Sequence, residues 1–229
     1  MPPLSAPLLD VCGRRRSPVT YPEYRAGRKP PNAGKTYPAE VLTRDEVGRL
    51  IDACSRRGPS GLRNRALIVV MWRAGLRVSE ALELAPKDVD LAGRPASVTV
   101  LHGKRDKRRT VGIHPDAAAV IERWLACRRG LGIGPRSPLF CSIAEPVRGG
   151  PIRSAYVRTL FHRLGERAGI DKRVHPHGLR HTMAFELMKE GVPLVIIQKQ
   201  LGHTELATTA RYVDHLCPSD LLDAMAARV

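Results

Sequence analysis

The sequence is short of aromatic rings, of acidic residues and of cysteines in any useful spacing, and each shortage removes a class of function. Phe, Trp and Tyr make up 4% of the 229 residues, too few for a protein that binds single strands by repeated base stacking. The longest unbroken apolar run, 66–72, has seven residues, against the roughly 20 needed to span a bilayer. The chain therefore reads as no membrane protein. The five cysteines (Cys12, Cys54, Cys127, Cys141, Cys217) are scattered, odd in number and never form a Cys-x-x-Cys pair. That pattern fits neither a disulfide framework nor a zinc ribbon, and implies a reduced, cytosolic setting. The N-terminus lacks the long apolar stretch of a secretory signal. Asp and Glu total 22 against 38 Lys and Arg, a formal net charge of +16, which calls for a polyanionic partner.

What is present is a hydrophobic fraction of 43%, ample for a buried core, preceded by a segment of different character. Residues 1–40 hold eight of the 19 prolines, and seven Lys or Arg against three acidic residues, concentrated at Arg14, Arg15, Arg16 and at Arg28 and Lys29. Such a stretch buries too little apolar area to offset its ordering entropy, so it reads as a basic arm, extended or disordered, with a disordered leader of no role as the alternative. Order begins at Thr43-Arg44-Asp45-Glu46, a capping box ahead of Val47, Leu50 and Ile51. Helices follow over 62–74 and 79–84. The period then changes to that of strands at 97–100 and 110–113, flanking a turn whose tip is Gly103 to Arg109. Helices resume over 115–129, 154–168, 178–190, 193–201, 205–213 and 219–227, without internal repeat. The expected fold class is mostly α with a small antiparallel β-sheet (α+β).

Four segments could carry chemistry. In His175-Pro176-His177-Gly178-Leu179-Arg180-His181, a helix starting near Gly178 puts His177 and Arg180 on one side of the first turn. Free amides there attract phosphate and disfavour an imidazolium. The same residues could simply cap the helix, or His175, His177 and His181 could ligate zinc, although no cysteine or carboxylate lies nearby in sequence. Arg77, just after Gly75, has a guanidinium fork suited to two phosphate oxygens, with Glu80 able to orient it; a purely structural Arg77–Glu80 pair fits equally. The hairpin tip supplies Lys104, Arg105, Lys107, Arg108 and Arg109, a phosphate-contacting surface in which Lys104, beside Gly103, is the candidate catalytic member. Finally His203 and Tyr212 stand near the end of the chain. A tyrosine hydroxyl, with a free pKa of about 10, needs neighbouring cations and a base before it becomes a nucleophile.

Taken together and in this order, Arg77, Lys104, His177, Arg180, His203 and Tyr212 resemble the catalytic set of the tyrosine recombinases, the phage-integrase family. The segments that carry the resemblance are 75–82 (GLRVSEAL), 103–109 (GKRDKRR), 177–182 (HGLRHT), 201–204 (LGHT) and 208–212 (TTARY), with Tyr212 nine residues after His203. The resemblance covers residues 40–229 and implies a catalytic domain over 41–229, ending in a subunit-exchange segment at 214–229. It implies that Tyr212 attacks a DNA phosphodiester to give a 3′-phosphotyrosyl intermediate, and that Arg77 and Arg180 clamp the non-bridging oxygens. His177 would be the base, Lys104 the acid for the 5′-oxygen, and His203 a donor to phosphate. It implies no cofactor, neither divalent metal nor ATP. The implied partner is double-stranded DNA, bound by a homotetramer in the synapse and by a monomer in free solution. The family usually places a helical core-binding domain ahead of the catalytic one, whereas here only the arm precedes the capping box. The expectation is that Arg14, Arg15, Arg16, Arg28 and Lys29 partly substitute by lying along the DNA backbone. A type IB topoisomerase that reseals a single duplex, and a DNA-binding accessory protein without cleavage, are the competing readings.

Overall fold

In the computed structural model, which describes residues 41–101, 108–203 and 226, seven helices and a small three-stranded sheet make up the described fold. Helix α1 (Arg44–Asp52) starts as the sequence requires. Thr43 Oγ1 accepts from Glu46 N–H and the Glu46 carboxylate accepts from Thr43 N–H at 2.7 Å. Helix α2 (Pro59–Arg73) begins three residues before the expected position, because Pro59 occupies the first turn, where its missing N–H costs nothing. Every residue from Ala66 to Trp72 is buried, which places α2 at the centre of the core. It packs most closely on α4 (Pro115–Gly130) and α6 (Pro176–Lys189).

Helix α3 (Val78–Glu83) follows a sharp turn at Gly75, whose φ of +66° favours glycine. A 3-10 turn at Pro86–Asp88 leads into β1 (Val89–Asp90). With β2 (Ser97–Val100) and β3 (Arg109–Gly112) it forms an antiparallel sheet in the order β1-β2-β3, with Val98 opposite both Val89 and Val111 and Val100 opposite Arg109. The expected hairpin is thus present, extended by a third strand of two residues, too short to show any period. Helices α5 (Ser154–Arg167) and α7 (Leu194–Leu201) complete the described elements.

Between α4 and α5 the chain is pinned by backbone and side-chain bonds. Trp124 Nε1 donates to Leu139 C=O, Leu139 N–H donates to Leu84 C=O, and the buried Arg128 donates to the carbonyls of Gly134, Ser137 and Pro138. The arm, the two C-terminal helices expected at 205–213 and 219–227, and the exchange segment lie outside the described residues, apart from Ala226, which is helical. Among the described residues no helix is long and apolar enough to cross a membrane.

Candidate active site

The site forms where the ends of α2, α6 and α7 meet the start of α3. Arg77 caps α3, its side chain 28% exposed. Glu80, one turn on and only 3% exposed, reaches back to Arg77 N–H at 2.9 Å and accepts from Arg77 Nη1 at 2.7 Å. A bidentate contact from Arg109, Nη1 at 3.0 Å and Nη2 at 2.8 Å, occupies the rest of the carboxylate. Burial pushes the Glu80 pKa up, but the bonds from Arg109 and Arg77 outweigh it and bring it down to about 2.

Arg180 is fully buried on α6. Its Nη1 donates to Gly75 C=O at 2.6 Å and its Nη2 to Leu201 C=O. One guanidinium therefore joins the turn before Arg77 to the last turn of α7. Helix α6 begins at Pro176, two residues earlier than expected. Its N-cap is His175, whose Nδ1 accepts from Gly178 N–H at 3.2 Å. Pro at the first position and His175 thus use part of the amide set that the sequence suggested for phosphate. Burial first, then the charges of Arg173 and His177, bring His175 down to about 4, so it accepts that bond as a neutral ring.

His177 lies at the surface of the same first turn, its ring edge-on to His181 with centroids 4.3 Å apart. Desolvation of the ring, then the charges of Arg180 and Arg77, lower its pKa. His203 follows Gly202, the left-handed cap of α7 at φ +66°, and is half-buried. Burial, then Arg180, Arg77 and His177, bring its pKa down to about 4. Both imidazoles are neutral at pH 7. The grouping is therefore two arginines held rigidly by the fold and two neutral rings, His177 able to accept a proton and His203 able to donate a hydrogen bond. This is the equipment for stabilising negative charge on a phosphate and for taking a proton from a nucleophile.

Of the six residues singled out in the sequence, the structure gathers Arg77, His177, Arg180 and His203. Lys104 and Tyr212 lie outside the described residues, as do Arg105, Lys107, Arg14, Arg15, Arg16, Arg28 and Lys29. Arg108 is exposed where β3 begins. Arg109 departs from the expectation of a phosphate contact at a loop tip: it is the first residue of β3, 14% exposed, with both terminal amines on Glu80. Sequence spacing could not show this, since 29 positions separate the pair. The cap role of His175 was legible in the following proline. Among the described residues no cluster of three or more His, Cys, Asp or Glu could hold a metal ion.

Glu80 gives a test of how the site is held. Replacing it by glutamine removes the charge between two arginines, and breaking a buried pair costs about 3–5 kcal/mol. Because the native pKa lies below the usual value of about 4.3, the stabilisation is present above that pH and is lost as pH falls toward about 2. Urea titrations between neutral pH and acid should show Glu80→Gln markedly less stable at pH 7 and less steeply destabilised on the acid side. Equal stabilities at pH 7 would contradict the arrangement.

The sequence profile described as the phage integrase family matches residues 40–217. Tyrosine recombinase XerC of Actinobacillus pleuropneumoniae serotype 7 (strain AP76) is 34% identical over 186 residues, 81% of this chain and 58% of the relative. Tyrosine recombinase XerD of Bifidobacterium longum (strain NCC 2705) is 36% identical over 208 residues, 86% of this chain and 65% of the relative. The chain thus spans about three-fifths of the length of these curated relatives. Among solved structures, the XerA recombinase superposes with a TM-score of 0.71 at 32% identity, covering 87% of this chain and 68% of that one. A post-cleavage complex of XerH site-specific recombinase with palindromic difH substrate gives 0.68 at 27% identity, covering 86% of this chain and 55% of that one. With the fold, the ordered motifs and these likenesses in agreement, the chain belongs to the phage integrase family of tyrosine recombinases.

Proposed function

We propose that this chain is the catalytic part of a site-specific DNA recombinase, acting at sites of a phage or other mobile element. The observation that carries the reading is the convergence of Arg77, Arg180, His177 and His203 at one place, in a family whose relatives are named tyrosine recombinases. The Tyr212 hydroxyl oxygen attacks the scissile phosphorus and its proton passes to neutral His177. The bond from phosphorus to the 5′-oxygen breaks, and Lys104 supplies the proton that leaves with that oxygen. The products are a 3′-phosphotyrosine and a 5′-hydroxyl. Attack by a 5′-hydroxyl of a second duplex reverses these steps and joins the strands, so bond energy is kept and no nucleotide is consumed. Arg77 and Arg180 offset the charge that builds on the non-bridging oxygens, and His203 donates to one of them.

The net charge of +16 supplies the sequence-independent attraction to duplex DNA, and the Lys and Arg residues in the sequence of the 101–108 connection and of the arm contribute to that charge. A tetramer on the synapsed DNA, assembled from monomers through residues 214–229, is the working form in this reading. Two labelled duplexes of different length, each bearing a crossover site and incubated in excess chelator without ATP, should yield recombinant lengths. Relaxation of supercoiled plasmid without any joined product would favour the topoisomerase reading. A shift in mobility with no strand cleavage would favour the accessory role.

A further inference from the structure

Arg109 is a largely enclosed cation to which the reaction above gives no part. It opens β3 with its side chain 14% exposed, and it is fixed from several sides. Its backbone pairs with Val100 across the sheet. At the other end of the strand Gln200 of α7 holds Gly112: Nε2 donates to Gly112 C=O at 3.0 Å, and Gly112 N–H donates to Oε1 at 3.3 Å. Both terminal amines of Arg109 go to Glu80. Its flank lies against Gly202, the left-handed cap of α7, where a Cβ would fall 2.7 Å from Arg109 Nε. A guanidinium held in this way cannot make room, so glycine is required beside it.

The consequence lies in how Glu80 is shared. Its Oε1 accepts from Arg77 Nη1 at 2.7 Å and from Arg109 Nη1 at 3.0 Å. Its Oε2 accepts from Arg77 N–H at 2.9 Å and from Arg109 Nη2 at 2.8 Å. Together these bonds fill the roughly four lone-pair sites of a carboxylate. Arg77 therefore commits one side-chain amine to Glu80, and its Nε and Nη2 make no bond among the described residues. Charge is divided in the same way. Glu80 is ionised at neutral pH, because the bonds from Arg109 and Arg77 outweigh its burial. Two guanidiniums around one carboxylate leave one net positive charge. Resting on the recombinase reading above, we propose that Arg109 is a positioning residue: it saturates and neutralises Glu80, so that Arg77 keeps its charge and its free edge for a phosphate. Without Arg109, Glu80 faces a lone guanidinium, and such pairs close into a two-pronged contact. Arg77 then turns inward and the pair is neutral. A displacement on the order of 1 Å can cost about a hundredfold in rate.

The test uses the full chain in single-turnover cleavage of two duplexes. One carries the ordinary scissile phosphate; in the other a methyl group replaces a non-bridging oxygen there. The methylphosphonate is uncharged, so its cleavage depends far less on a cation beside it. Arg77→Ala is the reference, slowed by about 10²–10³ on phosphate and much less on methylphosphonate. Arg109→Met, with neither charge nor donor, is expected to follow the same pattern. It should be slowed about a hundredfold on phosphate and stay within about tenfold of wild type on methylphosphonate. Removing the carboxylate charge as well returns to Arg77 its own. Arg109→Met combined with Glu80→Gln should therefore cleave the phosphate duplex about tenfold faster than Arg109→Met alone, a coupling that independent effects on folding do not produce. Equal losses on the two substrates, no loss on phosphate, or a double variant no faster than the single one would overturn the positioning role while leaving the recombinase reading intact. A wild type that forms no adduct with the phosphate duplex would instead defeat that reading, and this proposal with it.

Discussion

Substitution of Arg180 by alanine should slow strand cleavage by about 10²–10³ and weaken the fold at the same time. In the proposed reaction the first effect follows from removing one preorganised cation from where negative charge would develop, an effect of that size in comparable sites. The second follows from the bonds Arg180 makes. Gly75 C=O and Leu201 C=O, both in buried residues, lose their guanidinium donor. Each buried acceptor left without a partner costs about 1–3 kcal/mol. The two effects separate in Arg180→Lys. An ammonium keeps the charge but, without a planar fork, is not preorganised to hold two carbonyls that belong to different elements. The lysine variant should therefore recover part of the stability in thermal melts and little of the cleavage rate. If Arg180→Lys cleaves within about tenfold of wild type, charge alone would suffice, and the claim that the arginine is held in place by Gly75 and Leu201 would fail.

That double dependence explains which parts of the site can be read in the sequence. Local signals were sufficient where the responsible atoms are close along the chain. Thr43 and Glu46 announce α1 because each satisfies the other's amide three residues away, and the run 66–72 marks the buried centre of α2. Glu80 was legible as the partner of Arg77 for the same reason. The links that convert separate motifs into one site are not of this kind. Arg180 meets Gly75 across 105 positions, Gln200 meets Gly112 across 88, and Arg109 meets Glu80 across 29. No periodicity or cap encodes such pairings, since they are set by how α2, α6 and α7 pack. The misplacement of Arg109 shows the consequence. In a run of five basic residues over 104–109 every member looks solvated, and only the fold reveals that the last one turns inward to a carboxylate. The short β1 and the 3-10 turn before it were missed because two or three residues cannot display a repeat.

The same contrast bears on the two neutral histidines. The sequence suggested a helix terminus as the reason that His177 stays uncharged. In the structure, desolvation leads and the guanidinium charges of Arg180 and Arg77 add to it. His203, more than twenty positions further on, is brought down to about 4 by burial and by the same two arginines. A site that gathers cations keeps its own bases unprotonated, which suits a proton acceptor in a reaction at neutral pH.

The central claim is that one phenolic oxygen becomes covalently joined to DNA, and the most direct measurement of it is capture of that adduct. A duplex nicked near the crossover point loses the short 5′-hydroxyl fragment on cleavage, so the protein cannot reverse the step and remains attached. Wild type incubated with such a duplex in chelator should give a denaturation-resistant band carrying both protein and label, and peptide mapping should place the label on Tyr212, while Tyr212→Phe gives no band. A labelled adduct on another residue, an undiminished band with Tyr212→Phe, or cleavage without attachment would contradict the account.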